Sequence, residues 1–201
     1  LAFPNAYVET DEPHIRSPLS RLSRILAITG TAYFGLTILV LTLFDSDYSP
    51  VAQAASDYGV GRFAFEMNLG FLIGGVGLLS YAIAINSQDA KSRTRAGAVL
   101  FLIAGAVLIM DSYFTTNVEG GSQTLHGLIH GLGGFVFFIT APIGTLLVAR
   151  KFGRVRVFAT ILMLGAGFFL LAANVNAGGL AERVILLVIF ASVMVTSASF
   201  T

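Results

Sequence analysis

Four side chains in this sequence have the types and spacing to do chemistry: Glu66, Asp111, His126 and His130. His126 and His130 lie one helical turn apart, so a helix through them projects both imidazoles from one face. Two imidazoles so placed can share one ion. With Asp111 or Glu66 as a third ligand and a water as the fourth, they would form an open zinc site able to activate that water. The plainer alternative is that a histidine near a helix start hydrogen-bonds a neighbouring carboxylate or loop carbonyl. Same-face spacing rules out both imidazoles clamping one haem iron, although either could singly ligate a haem or a chlorophyll-type magnesium. Asp111 could also simply end its span and pair with Arg62 or a histidine. In a proton-coupled carrier, Glu66 and His130 would be the titrating groups.

The elements that must position these groups lie in lipid. The chain is 55% hydrophobic and 11% charged, against about 25% charged residues in a soluble domain, and its apolar residues come in blocks rather than stripes. A bilayer core needs roughly 20 apolar residues per helix. Six blocks qualify: 25–44, 63–85, 96–113, 125–149, 157–173 and 183–200. The blocks lack the alternation of a membrane barrel. The expected fold is therefore all-α, a polytopic bundle of six transmembrane helices spanning 25–201, preceded by a polar arm at 1–24. That arm holds Pro4, Pro13 and Pro18 and has no apolar core, so neither a secretory signal nor a long helix is expected before the first span. An ordered polar arm would need something to dock on.

Charge sets the orientation. Ten of the twelve basic residues fall in the arm (Arg16, Arg21, Arg24), the second loop (Lys91, Arg93, Arg95) and the fourth loop (Arg150, Lys151, Arg154, Arg156), leaving Arg62 and Arg183 opposite. By the positive-inside rule both termini are cytoplasmic and the membrane is the inner, cytoplasmic one. Glu66, Asn68, Asp111, His126 and His130 then all belong to the outer ends of spans two, three and four. Ionisable groups at such depth are functional candidates by default. The outer loop 45–62, with Pro50, Gly59 and Gly61, reads as a turn or short interfacial helix, and Tyr48 and Tyr58 suit the headgroup level.

Glycines recur at four-residue spacing, Gly70 with Gly74 and Gly127 with Gly131, which permits close helix approach. They pack within the bundle, or else accept a partner helix, a lipid tail or a flat pigment. Pro142 is expected to bend the fourth span, with Thr140, Thr145 or a neighbouring helix satisfying the displaced carbonyl. The sequence has no cysteine, which excludes disulfides and thiolate sites. Its net charge of +1 makes no case for nucleic acid. Phosphate-binding loops, nucleophile elbows and dinucleotide fingerprints are absent.

Three stretches carry a resemblance: Ser56-Asp57-Tyr58-Gly59-Val60-Gly61 before span two, Phe114-Thr115-Thr116-Asn117 after span three, and Leu125-His126-Gly127-Leu128-Ile129-His130 opening span four. They resemble the bacterial and archaeal membrane family labelled domain of unknown function 998, from about the first span to the fifth. The resemblance implies a six-helix fold and no particular activity. That family more often has Phe-Pro-Thr-Asp at the turn, so Thr115 and Asn117 depart from it, and Asp111 becomes the nearest acid. An acid followed by His-x-x-x-His is also similar, as analogy, to the alkaline ceramidase and adiponectin-receptor superfamily of membrane zinc hydrolases. Those have seven spans and a third histidine from another helix, whereas His14 is expected on the opposite side here.

Three functions are thus expected to compete. The first is a non-catalytic subunit or scaffold packing with other membrane subunits and holding lipid or pigment. The others are a zinc-dependent hydrolase with its site in the outer leaflet, and a small proton-coupled transporter.

Overall fold

A computed structural model describes residues 18–88, 92–118, 120–148, 153–172 and 178–199. The docking expected of the polar arm falls on residues 1–17, outside that description. Six α-helices follow one another: α1 (Pro18–Phe44), α2 (Ala64–Gln88), α3 (Ser92–Asp111), α4 (Leu125–Val148), α5 (Arg154–Ala172) and α6 (Gly178–Ala198). A 3₁₀-helix, Ala55–Val60, lies between α1 and α2. Among the described residues, five of these seven helices, α1 to α4 and α6, are long and apolar enough to cross a membrane. The protein is thus all-α and integral to the membrane, and α5 stands where the fifth span was expected.

The helix ends differ from the apolar blocks for physical reasons. α1 begins at Pro18, inside the stretch assigned to the arm, because proline at the first helical position gives up only an amide with no intrahelical partner. Arg24 thereby lies on α1 and donates from Nε to the Ser197 carbonyl near the end of α6, 3.1 Å away. α6 begins at Gly178 rather than at Arg183, so Glu182 and Arg183 sit in its second turn.

Consecutive helices pack side by side, and α6 closes the bundle against α1 as well as α5. Glycines set how closely they approach. A Cβ on Gly30 would lie 2.8 Å from Gly77 Cα, and one on Gly75 would lie 2.7 Å from the Gly105 carbonyl oxygen. The α1–α2 and α2–α3 crossings are therefore backbone on backbone, as small residues allow in lipid. Gly70 and Gly74 receive Phe34 of α1, whose ring packs on Phe71 (5.0 Å between centroids) and Phe190 (5.3 Å). At the other end of α2, the Tyr81 hydroxyl hydrogen-bonds Thr196 of α6, and Tyr81 meets the Phe101 ring edge-on at 4.8 Å. The outward faces are apolar: Leu36, Leu39 and Leu43 on α1 and Phe158 and Ile161 on α5 are exposed.

Pro142 lies inside α4. The hydroxyls of Thr140 and Thr145 donate to Val136 and Ala141 respectively, so neither serves the Phe138 carbonyl that a residue with an amide at 142 would reach.

Gly105→Val should break the α2–α3 crossing, because its first carbon alone would come 2.8 Å from the Gly75 carbonyl oxygen and 2.9 Å from the Leu79 amide nitrogen. Overpacking of this kind costs about 1–3 kcal/mol. A clear drop in the thermal midpoint of the detergent-purified protein is expected, while Leu39→Val on the exposed face of α1 should leave it nearly unchanged.

Candidate functional site

At the end of the bundle where α1 meets α2, α3 meets α4 and α6 begins, a mostly apolar cavity of about 380 Å³ includes a few buried polar groups in its lining. Its walls include Phe71, Leu108, Phe137 and Leu186. Its polar end is made by Asp111, His130, Glu182 and Ser56. Gly131, Phe135 and Ile139 of α4 and Leu164 of α5 also line it and are exposed, so the cavity opens sideways between these two helices.

His130 and Asp111 come together through the α3–α4 turn. After Asp111 the chain makes one more turn, with the Phe114 amide bonded to the Met110 carbonyl at 2.9 Å. Thr124 caps α4: its Oγ1 accepts from the Gly127 amide at 3.0 Å. Asn117 Oδ1 in turn accepts from the Thr124 amide (2.9 Å) and hydroxyl (2.8 Å). Gly127 is where the Asn117 carboxamide rests, in the space a Cβ would fill. The first turn of α4 is thereby pinned, and one turn further in His130 passes beneath Phe114. Its Nδ1 is 2.9 Å from the Phe114 carbonyl oxygen and 3.6 Å from Asp111 Oδ1. Phe71 meets the imidazole edge-on at 5.9 Å. Because a carbonyl only accepts, Nδ1 carries the proton and Nε2 of the neutral ring is an acceptor.

Asp111 is 2% exposed, and its Oδ1 is buried without a hydrogen-bond partner. Gly133 makes room for it, since a Cβ there would fall 2.7 Å from that oxygen. His126, although on the same helical face as His130, is exposed and packs against the rings of Tyr113 (5.7 Å) and Phe114 (5.1 Å). Glu66 is exposed at the start of α2. Asn68 donates to the Gly59 carbonyl at 3.3 Å. Arg62 lies over the Phe63 ring at 4.6 Å. Among the described residues, no group of three or more His, Asp or Glu side chains stands together as a metal ion would need.

Glu182 is the site residue that sequence reasoning missed. Nothing near it in the sequence marks it out, yet it is 7% exposed and accepts a 2.6 Å hydrogen bond from the Ala55 amide. Arg183 beside it donates from Nη1 to the carbonyls of Gln53 (2.8 Å), Pro50 (2.9 Å) and Gly179 (3.1 Å). The Leu180 amide bonds the Val51 carbonyl at 3.0 Å. Gly179 lets the Gln53 carbonyl approach α6 so closely that no Cβ would fit. These bonds lay the 50–55 segment across the start of α6. Tyr58 is consequently buried, its ring centroid 4.3 Å from that of Tyr48, whose hydroxyl donates to the Ala54 carbonyl at 2.9 Å. Burial, reinforced by the Asp57 carboxylate, pushes the Tyr48 phenol up from its ordinary value and keeps it a donor.

The family model described as a protein of unknown function (DUF998) matches residues 27–199. The chain belongs to that family, and the match extends through α6. No curated protein and no solved structure matches it.

Arg183→Met should free the 50–55 segment, because three carbonyls lose their shared donor. Faster tryptic cleavage after the exposed Arg62 is expected in detergent, by about threefold or more, as local opening becomes easier. Glu182→Ala, which strands the buried Ala55 amide, should lower stability by about 1–3 kcal/mol, read as a fall in thermal midpoint.

Proposed function

We propose that this protein is a binding protein of the membrane, with six spans and both termini on the cytoplasmic side, that holds one amphipathic lipid-like molecule in the cavity at its outer end. The observation that carries the proposal is the cavity itself: apolar walls, a sideways mouth toward lipid, and buried Asp111, His130 and Glu182 gathered at one end. Its size falls within the roughly 300–1,000 Å³ of small-molecule pockets, which are mostly apolar with a few convergent polar groups. The tail of an amphiphile would lie along Phe137, Phe138 and Leu186, with its polar group near His130. An open zinc centre would need a third protein ligand, and the exposed positions of His126 and Glu66 favour an organic occupant instead. Three of the four glycines that a partner helix could have used are occupied within the chain, Gly70 and Gly74 by Phe34 and Gly127 by Asn117, while Gly131 is open and lines the cavity.

The protein purified in mild detergent should carry roughly one amphiphile per chain, identified by mass spectrometry of a solvent extract. Gly131→Phe should lose it, since Gly131 has open space where a side chain would enter the mouth. Equal extracts from the two proteins, normalised for bulk lipid, would sink the idea.

The orientation follows from ten of twelve basic residues sharing one side, and the cysteine-free chain makes it simple to test. A membrane-impermeant maleimide on intact cells should label Ser122→Cys, and should label Arg154→Cys only after permeabilisation. The reverse pattern would invert the assignment.

A further inference from the structure

Resting on the cavity as a binding site for an amphiphile, we infer that its ligand carries a hydrogen-bond-donating polar group, a hydroxyl or a primary ammonium, and that phosphate- or carboxylate-bearing amphiphiles are rejected.

Toward a ligand, the three ionisable groups of the polar end offer acceptor atoms, beside the Ser56 hydroxyl, which can donate or accept. His130 spends its Nδ1 proton on the Phe114 carbonyl, which leaves Nε2 as a lone pair. Asp111 contributes a carboxyl group whose Oδ1 accepts no hydrogen bond among the described residues, although the residue is 2% exposed. Such an atom is costly to leave unpaired in an apolar setting. Glu182 adds a second carboxyl group, with Oε2 held by the Ala55 amide.

Cations that would welcome an anion are missing from this lining. No lysine or arginine lines the cavity among the described residues. Arg183 is the nearest in sequence; its Nη1 is held by the Pro50, Gln53 and Gly179 carbonyls and its guanidinium lies over the Tyr58 ring at 5.9 Å, while Nη2 is buried without a hydrogen-bond partner among the described residues and the side chain does not line the cavity. Phosphate recognition ordinarily recruits arginine, lysine or a cluster of backbone amides. Here a phosphate would meet carboxyl groups and a ring nitrogen lone pair in a site of low dielectric, where mismatched charge is heavily penalised. A hydroxyl or ammonium group would instead supply the donor that Asp111 and His130 lack.

The test exploits a chain without tryptophan. Leu164→Trp places one indole at the cavity mouth, and Leu39→Trp places one on the outward face of α1 as the reference for partition into detergent. Each purified protein is titrated with mid-chain brominated hexadecylamine, hexadecanol and hexadecyl phosphate, and quenching is followed. Quenching of the mouth indole, above the reference, by the amine or the alcohol at a concentration at least about tenfold below that of the phosphate is the expected result, corresponding to one charge-assisted or donor hydrogen bond. The tighter of the two identifies the donor as ammonium or hydroxyl. Adding Asp111→Asn to the mouth reporter should shrink that preference to about threefold or less while quenching itself persists. Glu182→Gln serves as the second variant if the first does not fold. Phosphate binding as tightly as the other two, or a preference untouched by both variants, overturns the inference and leaves the cavity as an amphiphile site. Failure of all three probes to quench above the reference overturns the binding site as well.

Discussion

The end of the bundle that holds the cavity depends on the bonds between the second turn of α6 and the segment that follows α1. Glu182 takes the Ala55 amide, Arg183 takes the carbonyls of Pro50 and Gln53, and the Leu180 amide takes that of Val51. A polar segment laid against apolar helices must have its amides and carbonyls satisfied. Two adjacent side chains of opposite charge do this from one helix turn. They bring the loop down over the cavity and place Ser56 and Glu182 in its lining. Without that tie, Tyr58 would have no reason to be buried.

A second, similar device operates across the bundle. Asn117 and Thr124 fix the start of α4, which sets the depth of His130 under Phe114 and beside Asp111. Residue 117 therefore works as a cap rather than as a ligand. The amide serves this role through its carbonyl oxygen, an acceptor that an aspartate at the same position would also supply.

The helical elements were legible in the sequence because lipid demands long apolar blocks, and the blocks at 63–85 and 125–149 differ from α2 and α4 by only a few terminal residues. The starts of α1 and α6 were less visible, since Ser20, Arg21, Arg24, Glu182 and Arg183 are polar residues carried inside a helix. Asp111 and His130 stood out because buried ionisable groups are rare in lipid. Periodicity could not separate His130 from His126, which share a face, because depth is fixed by the α3–α4 turn rather than by spacing along α4. Glu182 carried no local signal at all: its partner, Ala55, lies far away along the chain. The Gly30–Gly77 and Gly75–Gly105 crossings were hidden for the same reason, as each glycine's counterpart belongs to a different helix.

The sideways opening between α4 and α5 lies at the end of the bundle that holds Asp111 and Glu182, while the opposite ends of α1, α2 and α6 are tied by the Arg24–Ser197 and Tyr81–Thr196 hydrogen bonds. With the bundle upright in a bilayer, a mouth at one end would face one monolayer and lie apart from the other. The unequal lipid composition of the two leaflets would therefore act as a first filter on what enters, ahead of any contact with His130.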